Sequence, residues 1–103
     1  MATEIACATD LFALVDDGRL LHTIRKGRRD YPLGPGYLTD SADEQRNIDI
    51  TSVRYCRFRN LTTADAQANG FADLPELRAV FERFYPGFDD DEEVTVIAFD
   101  VVR

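Results

Sequence analysis

Between Val94 and Val102 the chain reads VTVIAFDVV, a run in which almost every residue is apolar or β-branched and only Asp100 carries charge. Alternation would leave one polar face for water. This run has none, so it predicts a strand that is central in its sheet or buried on both sides. The chain has 103 residues, the size of one domain, so a single core spanning residues 1–103 is expected. Apolar residues at 45% and charged residues at 30% are the balance of an ordinary globular protein, not of a disordered or membrane chain.

The segments before that strand alternate between helical and extended patterns. Thr9 or Asp10 can cap a short helix in which Leu11, Leu14 and Val15 repeat at i, i+3, i+4, and Asp16-Asp17-Gly18 ends it. Arg19–Arg25 then alternates, with Leu20, His22 and Ile24 on one side and Leu21, Thr23 and Arg25 on the other. KGRRDYPLGPG over Lys26–Gly36 concentrates glycine and proline and predicts an exposed loop, followed by a short strand at Tyr37–Thr39 and a polar turn at Ser41–Asn47. Ile48–Arg59 reads as one long strand, with Ile48, Ile50, Ser52, Arg54, Cys56 and Phe58 on a shared face. A strand of that length is expected to bend or bulge.

Thr62 and Asp65 have the spacing of a capping box for a helix over about Thr63–Asn69, and Gly70 suits a left-handed stop. Asp73 and Glu76 repeat the capping logic, with Pro75 in the first turn. Leu74, Leu77, Val80, Phe81 and Phe84 form the apolar stripe of a second helix that ends at Tyr85-Pro86-Gly87. The element order is therefore helix, several strands, two helices, strand.

The net charge of −7 argues against a broad polyanion-binding surface. Charge is unevenly distributed, however. Residues 18–29 hold Arg19, Arg25, Lys26, Arg28 and Arg29 with no acid, while the other seven basic residues share the remainder with all 19 carboxylates. One basic segment on an acidic body fits a local anion-binding lip. The acidic run Asp89–Glu93 reads as a solvated turn, since calcium loops space their oxygen ligands and place glycine at the bend. Cys7 and Cys56 lie far apart with no metal-like spacing and read as buried reduced thiols. No apolar run reaches the roughly 20 residues of a membrane span, and Met1-Ala2-Thr3-Glu4 lacks the features of a signal peptide. A cytoplasmic protein with no metal and no cofactor is expected.

Four segments carry a family resemblance. They are Gly18-Arg19-Leu20-Leu21-His22-Thr23-Ile24-Arg25, Gly34-Pro35-Gly36-Tyr37, Leu61–Ala66 with Asn69-Gly70-Phe71, and Phe84-Tyr85-Pro86-Gly87 before the last strand. In that order, over nearly the whole chain, they resemble the ASCH domains, relatives of the PUA domain. The resemblance implies an α+β fold, a PUA-like mixed β-barrel with flanking short helices. It also implies a partner of the RNA or nucleoside-like small-molecule kind. In length and layout the chain is most similar to the small bacterial acetylcytidine amidohydrolases. Their catalytic set is a lysine, a threonine three residues later in a Thr-Ile-Arg motif, and a glutamate before the glycine turn.

Carried onto this chain, the threonine is Thr23 and Arg25 is present, but Leu20 replaces the lysine and Asn69 the glutamate. Leucine offers no proton chemistry, and asparagine cannot act as a base at neutral pH. Lys26, the only lysine, would lie ~20 Å from position 20 along a straight strand. The favoured reading is therefore a ligand cleft beside the Thr-Ile-Arg motif. In it Thr23, Arg25 and Asn69 line a cleft for a base, nucleotide or RNA end, with Arg25 suited to phosphate or a base edge, Arg28 and Arg29 touching phosphate, Lys26 among the ligand-binding residues, and Tyr37 or Tyr55 stacking. An alternative keeps amidohydrolase activity, with Thr23 and a displaced carboxylate at Asp65, although the capping box already explains Asp65. A second alternative is a protein-interaction module using the acidic surface. His22, the only histidine, alternates away from Thr23 and reads as part of the barrel wall.

Overall fold

The computed structural model describes residues 3–7, 11–18, 21–40 and 42–102. Its strands are β1 (Thr3–Ala6), β2 (His22–Lys26), β3 (Gly34–Thr39), β4 (Gln45–Arg57) and β5 (Glu93–Val101). Its helices are α1 (Phe12–Asp16), α2 (Thr63–Ala68) and α3 (Leu74–Phe84). One mixed sheet has the order β1-β3-β4-β5-β2, with β1 parallel to β3 and the other neighbours antiparallel. The apolar run that predicts a covered strand is β5. It sits between β4 and β2, and Val94, Thr95, Val96, Ile97 and Phe99 are all buried.

Two cores cover its faces. Ile97 and Phe99 point into a cluster with Ile5, Phe12, Val15, Leu38, Ile48 and Ile50, closed by α1. Val94 and Val96 point the other way, toward Ile24, Phe58, Leu61, Leu77, Phe81 and Phe88 under α2 and α3. The sheet curls into a half-barrel, and its two outer strands approach one another. The Arg25 guanidinium of β2 donates to the Ala6 carbonyl of β1.

The expected bulge lies in β4. Ile50 faces Phe99 and Ser52 faces Ala98, so Thr51 is an extra residue and the side-chain alternation inverts there. Ile48 and Ile50 consequently point to the α1 core, whereas Arg54 and Cys56 stand on the α2/α3 side. The single face read for Ile48 through Phe58 is corrected by that one residue. Phe58–Asn60 leaves the sheet as a 3-10 turn, which drops Phe58 into the aromatic cluster.

Other boundaries move for local reasons. β1 is absent from the sequence reading because four residues with one buried side chain, Ile5, give no readable period. β3 starts at Gly34 rather than Tyr37. At Gly36 a Cβ would stand 3.0 Å from the Thr3 carbonyl oxygen and 3.2 Å from Ile50 Cδ1, so glycine permits the close approach of β1. The cap expected at Thr9 or Asp10, and the residues Arg19 and Leu20, lie outside the described residues. Neither cysteine is in a disulfide, and both are half-buried rather than buried as expected, because they stand at the edges of the two cores. Among the described residues no helix is long and apolar enough to cross a membrane.

Both caps predicted for the paired helices are present. The Thr62 hydroxyl accepts from the Asp65 N–H at 3.2 Å, and Asp65 Oδ2 accepts from the Thr62 N–H at 2.8 Å. Asp73 accepts from the Glu76 N–H at 3.0 Å, and Gly70 ends the first helix segment at φ 85°.

Candidate functional site

The C-terminal end of α2 is fastened to the start of β2. The Leu21 N–H donates to the Ala68 carbonyl at 2.7 Å, which brings Asn69 beside the edge strand that carries Thr23. Between β2, α3 and the start of α1 lies a cavity of about 190 Å³. Thr23 and Ile24 form one wall, and Leu77, Val80, Phe81 and Phe84 of α3 form the other. Asn69, Phe71, Tyr85 and Leu11 complete it. The polar side chains among these are Thr23, Asn69 and the Tyr85 phenol. Among the described residues neither the Thr23 hydroxyl nor the Asn69 amide makes a hydrogen bond with protein, and both residues are half-buried.

The structure thus joins two residues that lie 46 positions apart and that the sequence places in one cleft. It also adds aromatic walls. Phe71 and the Phe84-Tyr85 pair belong to the segments that carry the family resemblance, and their apolar character is the only sequence signal of their place here. Phe84 departs from its expected place in a buried stripe, since it is 62% exposed at the pocket rim.

The basic residues go elsewhere. Arg25 shares the sheet face of Thr23 but spends its guanidinium on the Ala6 carbonyl, and its Nε is buried without a partner among the described residues. The Lys26 ammonium lies 3.3 Å from Glu92 Oε2, an ionic contact only, since that oxygen is buried and makes no hydrogen bond among the described residues. Arg28 pairs with Glu93 at 3.2 Å and lies 3.8 Å over the centre of the Tyr55 ring. Arg29 donates its Nε–H to the Lys26 carbonyl at 3.1 Å, and its backbone N–H donates to the Thr95 hydroxyl at 2.9 Å. The Tyr55 hydroxyl donates to the Arg29 carbonyl at 3.0 Å. The loop after β2 is therefore strapped to β4 and β5, and none of these cations lines the cavity. Tyr37 stands on β3 opposite Asn47 and is not a lining residue either.

Asp65 has both oxygens engaged. Oδ2 serves the capping box and Oδ1 takes the Arg54 guanidinium, so the carboxylate faces β4 and not Thr23. Arg54, read in the sequence only as a strand residue, is the partner that explains a carboxylate at 8% exposure. His22 shares this side of the sheet with Ile24, as its alternation predicts, and its Nδ1 is buried without a hydrogen-bond partner among the described residues. Burial and then the nearby Arg54 charge push its pKa below 6.5, against the opposing pull of Asp65. Burial likewise pushes the Cys56 thiol up, as expected of an unreactive thiol.

The His22 shift has a definite sign. The unfolded chain takes up the proton more readily than the folded one, so the stabilisation is present above about pH 6.5 and is lost as the pH falls below it. Thermal melts through that range should slope for the wild type and flatten for His22→Gln. Identical slopes would remove His22 as the cause. Among the described residues no group of three or more His, Cys, Asp and Glu side chains is placed to hold a metal ion.

Solved structures share this fold. The ASCH domain of Lactobacillus crispatus JV V101 matches with a TM-score of 0.79 at 18% identity, over 96% of this chain and 79% of its own. EF3133 of Enterococcus faecalis V583, of the family model DUF984, gives 0.75 at 21% identity over 99% and 81%. The hypothetical protein PH0355 gives 0.77 at 14% over 99% and 100%. No family model and no curated protein matches the sequence. At these identities the likeness is one of fold, and the α+β architecture is that of ASCH, PUA-like domains.

Proposed function

We propose that this ASCH-fold chain binds a single uncharged heteroaromatic group, a nucleobase or nucleoside, in the pocket beside Thr23 and Asn69, and does not hydrolyse it. The observation that carries the reading is the pair of unpartnered hydrogen-bonding side chains, Thr23 and Asn69, set among Phe71, Phe81, Phe84 and Tyr85. An asparagine amide offers one acceptor and two donors, the complement of a base edge, while a hydroxyl gives or takes one bond. Aromatic rings supply the stacking surface. Both side chains are half-buried and open to solvent, so a ligand can take the place of water on them.

Size and charge narrow the choice. A cavity of about 190 Å³ is below the roughly 300–1,000 Å³ of pockets that enclose drug-sized ligands, so one heterocycle fits better than a nucleotide chain. The cations expected at the ligand, Lys26, Arg28 and Arg29, are engaged by Glu92, Glu93 and backbone carbonyls. A free nucleoside is therefore favoured over an RNA strand. Hydrolysis of an acetylated cytidine needs a base to activate water, and among the described residues no lysine, histidine or carboxylate lines the pocket.

Calorimetric titration with cytidine and acetylcytidine tests this reading. Asn69→Leu, which keeps the branched heavy-atom skeleton but not the amide, should weaken binding about tenfold by leaving ligand groups unpaired. Thr23→Val should weaken it by a smaller factor. Acetate release from acetylcytidine that Thr23→Val abolishes would replace binding with catalysis. Absence of affinity for every nucleoside would reject the reading.

A further inference from the structure

The acidic run is the partly exposed turn that was expected, and four of its five acids are also ion-paired. Asp90, Asp91, Glu92 and Glu93 are consecutive, and each pairs with a different base: Arg78 of α3, Arg59 after β4, Lys26 at the end of β2 and Arg28 beyond it. The turn itself is held to the rim of the sheet by backbone bonds. Gly27 N–H donates to the Glu93 carbonyl at 2.7 Å, Arg59 N–H to Asp90 at 2.9 Å and Phe58 N–H to Glu92 at 3.0 Å. It is a fixed post from which four carboxylates reach out.

Two of those contacts reach the two walls of the pocket. Lys26 is two residues beyond Ile24 on β2, and Arg78 follows Leu77 on α3. The backbone of α3 packs along α2. The helix is held to the sheet by the burial of Leu77 and Phe81, and the Arg78–Asp90 pair adds a tether beside them. All the pairs are partly exposed, and such pairs are worth about 0–1 kcal/mol each. Their value for overall stability is small, whereas their position bears on the spacing between β2 and α3.

We infer that the 90–93 turn is an ionic tether that sets the separation of the pocket walls, which makes Asp90 and Glu92 positioning residues for a ligand they never touch. The inference rests on the ligand reading above. Its signature is physical. An uncharged ligand in a pocket whose lining is uncharged among the described residues should bind with an affinity indifferent to ionic strength, but here the affinity should fall as salt screens the tether. At 1 M salt the screening length is about 3 Å.

Hydrogen exchange of the full chain provides the test, at about 0.05 M and about 1 M sodium chloride, for wild type and the double variant Asp90→Asn, Glu92→Gln. Wild-type amides of α3 should lose protection about three- to tenfold on adding salt, and the variant should exchange fast at both concentrations. Amides of β5 should be unchanged. Acceleration that is equal in β5 would report general destabilisation and overturn the inference, as would α3 exchange that is the same in variant and wild type at low salt. Cytidine titrations under the same conditions separate the two ideas. Cytidine binding with unchanged α3 exchange rejects the tether alone. An α3 effect without cytidine binding rejects the ligand reading and keeps the tether.

Discussion

Replacing Phe81 with alanine is expected to cost about 3–5 kcal/mol of folding stability, the range for truncating a buried aromatic residue. The ring is 4% exposed. It sits among three others, with centroids 5.0 Å from Phe58, 4.7 Å from Tyr85 and 4.9 Å from Phe88, in tilted and edge-on arrangements. Such geometry adds to the value of burial itself. Truncation would open a void that joins the ligand cavity, because Phe81 lines both. A domain of this size has about 5–15 kcal/mol in all, so the variant should unfold at a much lower urea concentration with a similar slope. Phe84→Ala is the control. That ring is 62% exposed, and its loss should leave the urea midpoint nearly unchanged. A Phe81→Ala midpoint close to wild type would mean that the aromatic cluster does not hold α3 to the sheet.

The second large effect is expected at Asp65. Asp65→Ala removes the reciprocal cap of α2, worth about 1 kcal/mol, and a charge-assisted bond from Arg54, worth about 1.5–3 kcal/mol. The Arg54 side chain is 45% exposed and can recover water, so the combined loss should be about 2–3 kcal/mol rather than the full penalty of an orphaned buried charge. Urea titration of Asp65→Ala, Arg54→Met and the double variant checks the coupling. A double-mutant cycle with no interaction energy would deny the pair any share of the stability. Ligand affinity is a separate readout. Because Asp65 faces β4 and its oxygens are occupied, Asp65→Asn should leave cytidine binding near wild type. A selective loss of turnover on acetylcytidine would instead revive the carboxylate as a catalytic group.

Those two residues show how unevenly the sequence reveals the fold. The capping box at Thr62 and Asp65 is legible because it is a contact between residues three apart, and the same holds for Asp73 and Glu76. Arg54 as the partner of Asp65 was not legible. Eleven positions separate them, and the bulge at Thr51 turns Arg54 to the helix side. Alternation places His22 and Ile24 opposite Thr23 and Arg25 correctly, since β2 contains no irregularity. The same rule fails across β4, where one extra residue inverts every side chain beyond it. β1 escaped notice because parallel pairing to β3 depends on Gly36 lying beneath it, a relation between segments 33 residues apart.

The pocket divides in the same way. Thr23 and Asn69 are identified by their places in segments that resemble a family, and the Leu21 to Ala68 bond brings them together. The basic segment of residues 25–29 is equally visible in the sequence, but its partners are not. Glu92 and Glu93 lie more than 60 positions away, and composition reports their charge without reporting what they face.

By itself the sequence determined that a strand covered on both faces lies inside the sheet, where the paired helices start, and which residue types are available for chemistry near Thr23. These follow from local capping and from the run of apolar residues in β5, which are properties of neighbours along the chain. Only the tertiary structure decided that Glu92 and Glu93 face Lys26 and Arg28 of the basic lip, that Arg54 accounts for Asp65, and that aromatic rings flank Thr23 and Asn69. Each of these depends on distances between elements. Those distances are set by how the bulged sheet curls and by how α3 docks on it, and no periodicity in the chain encodes either.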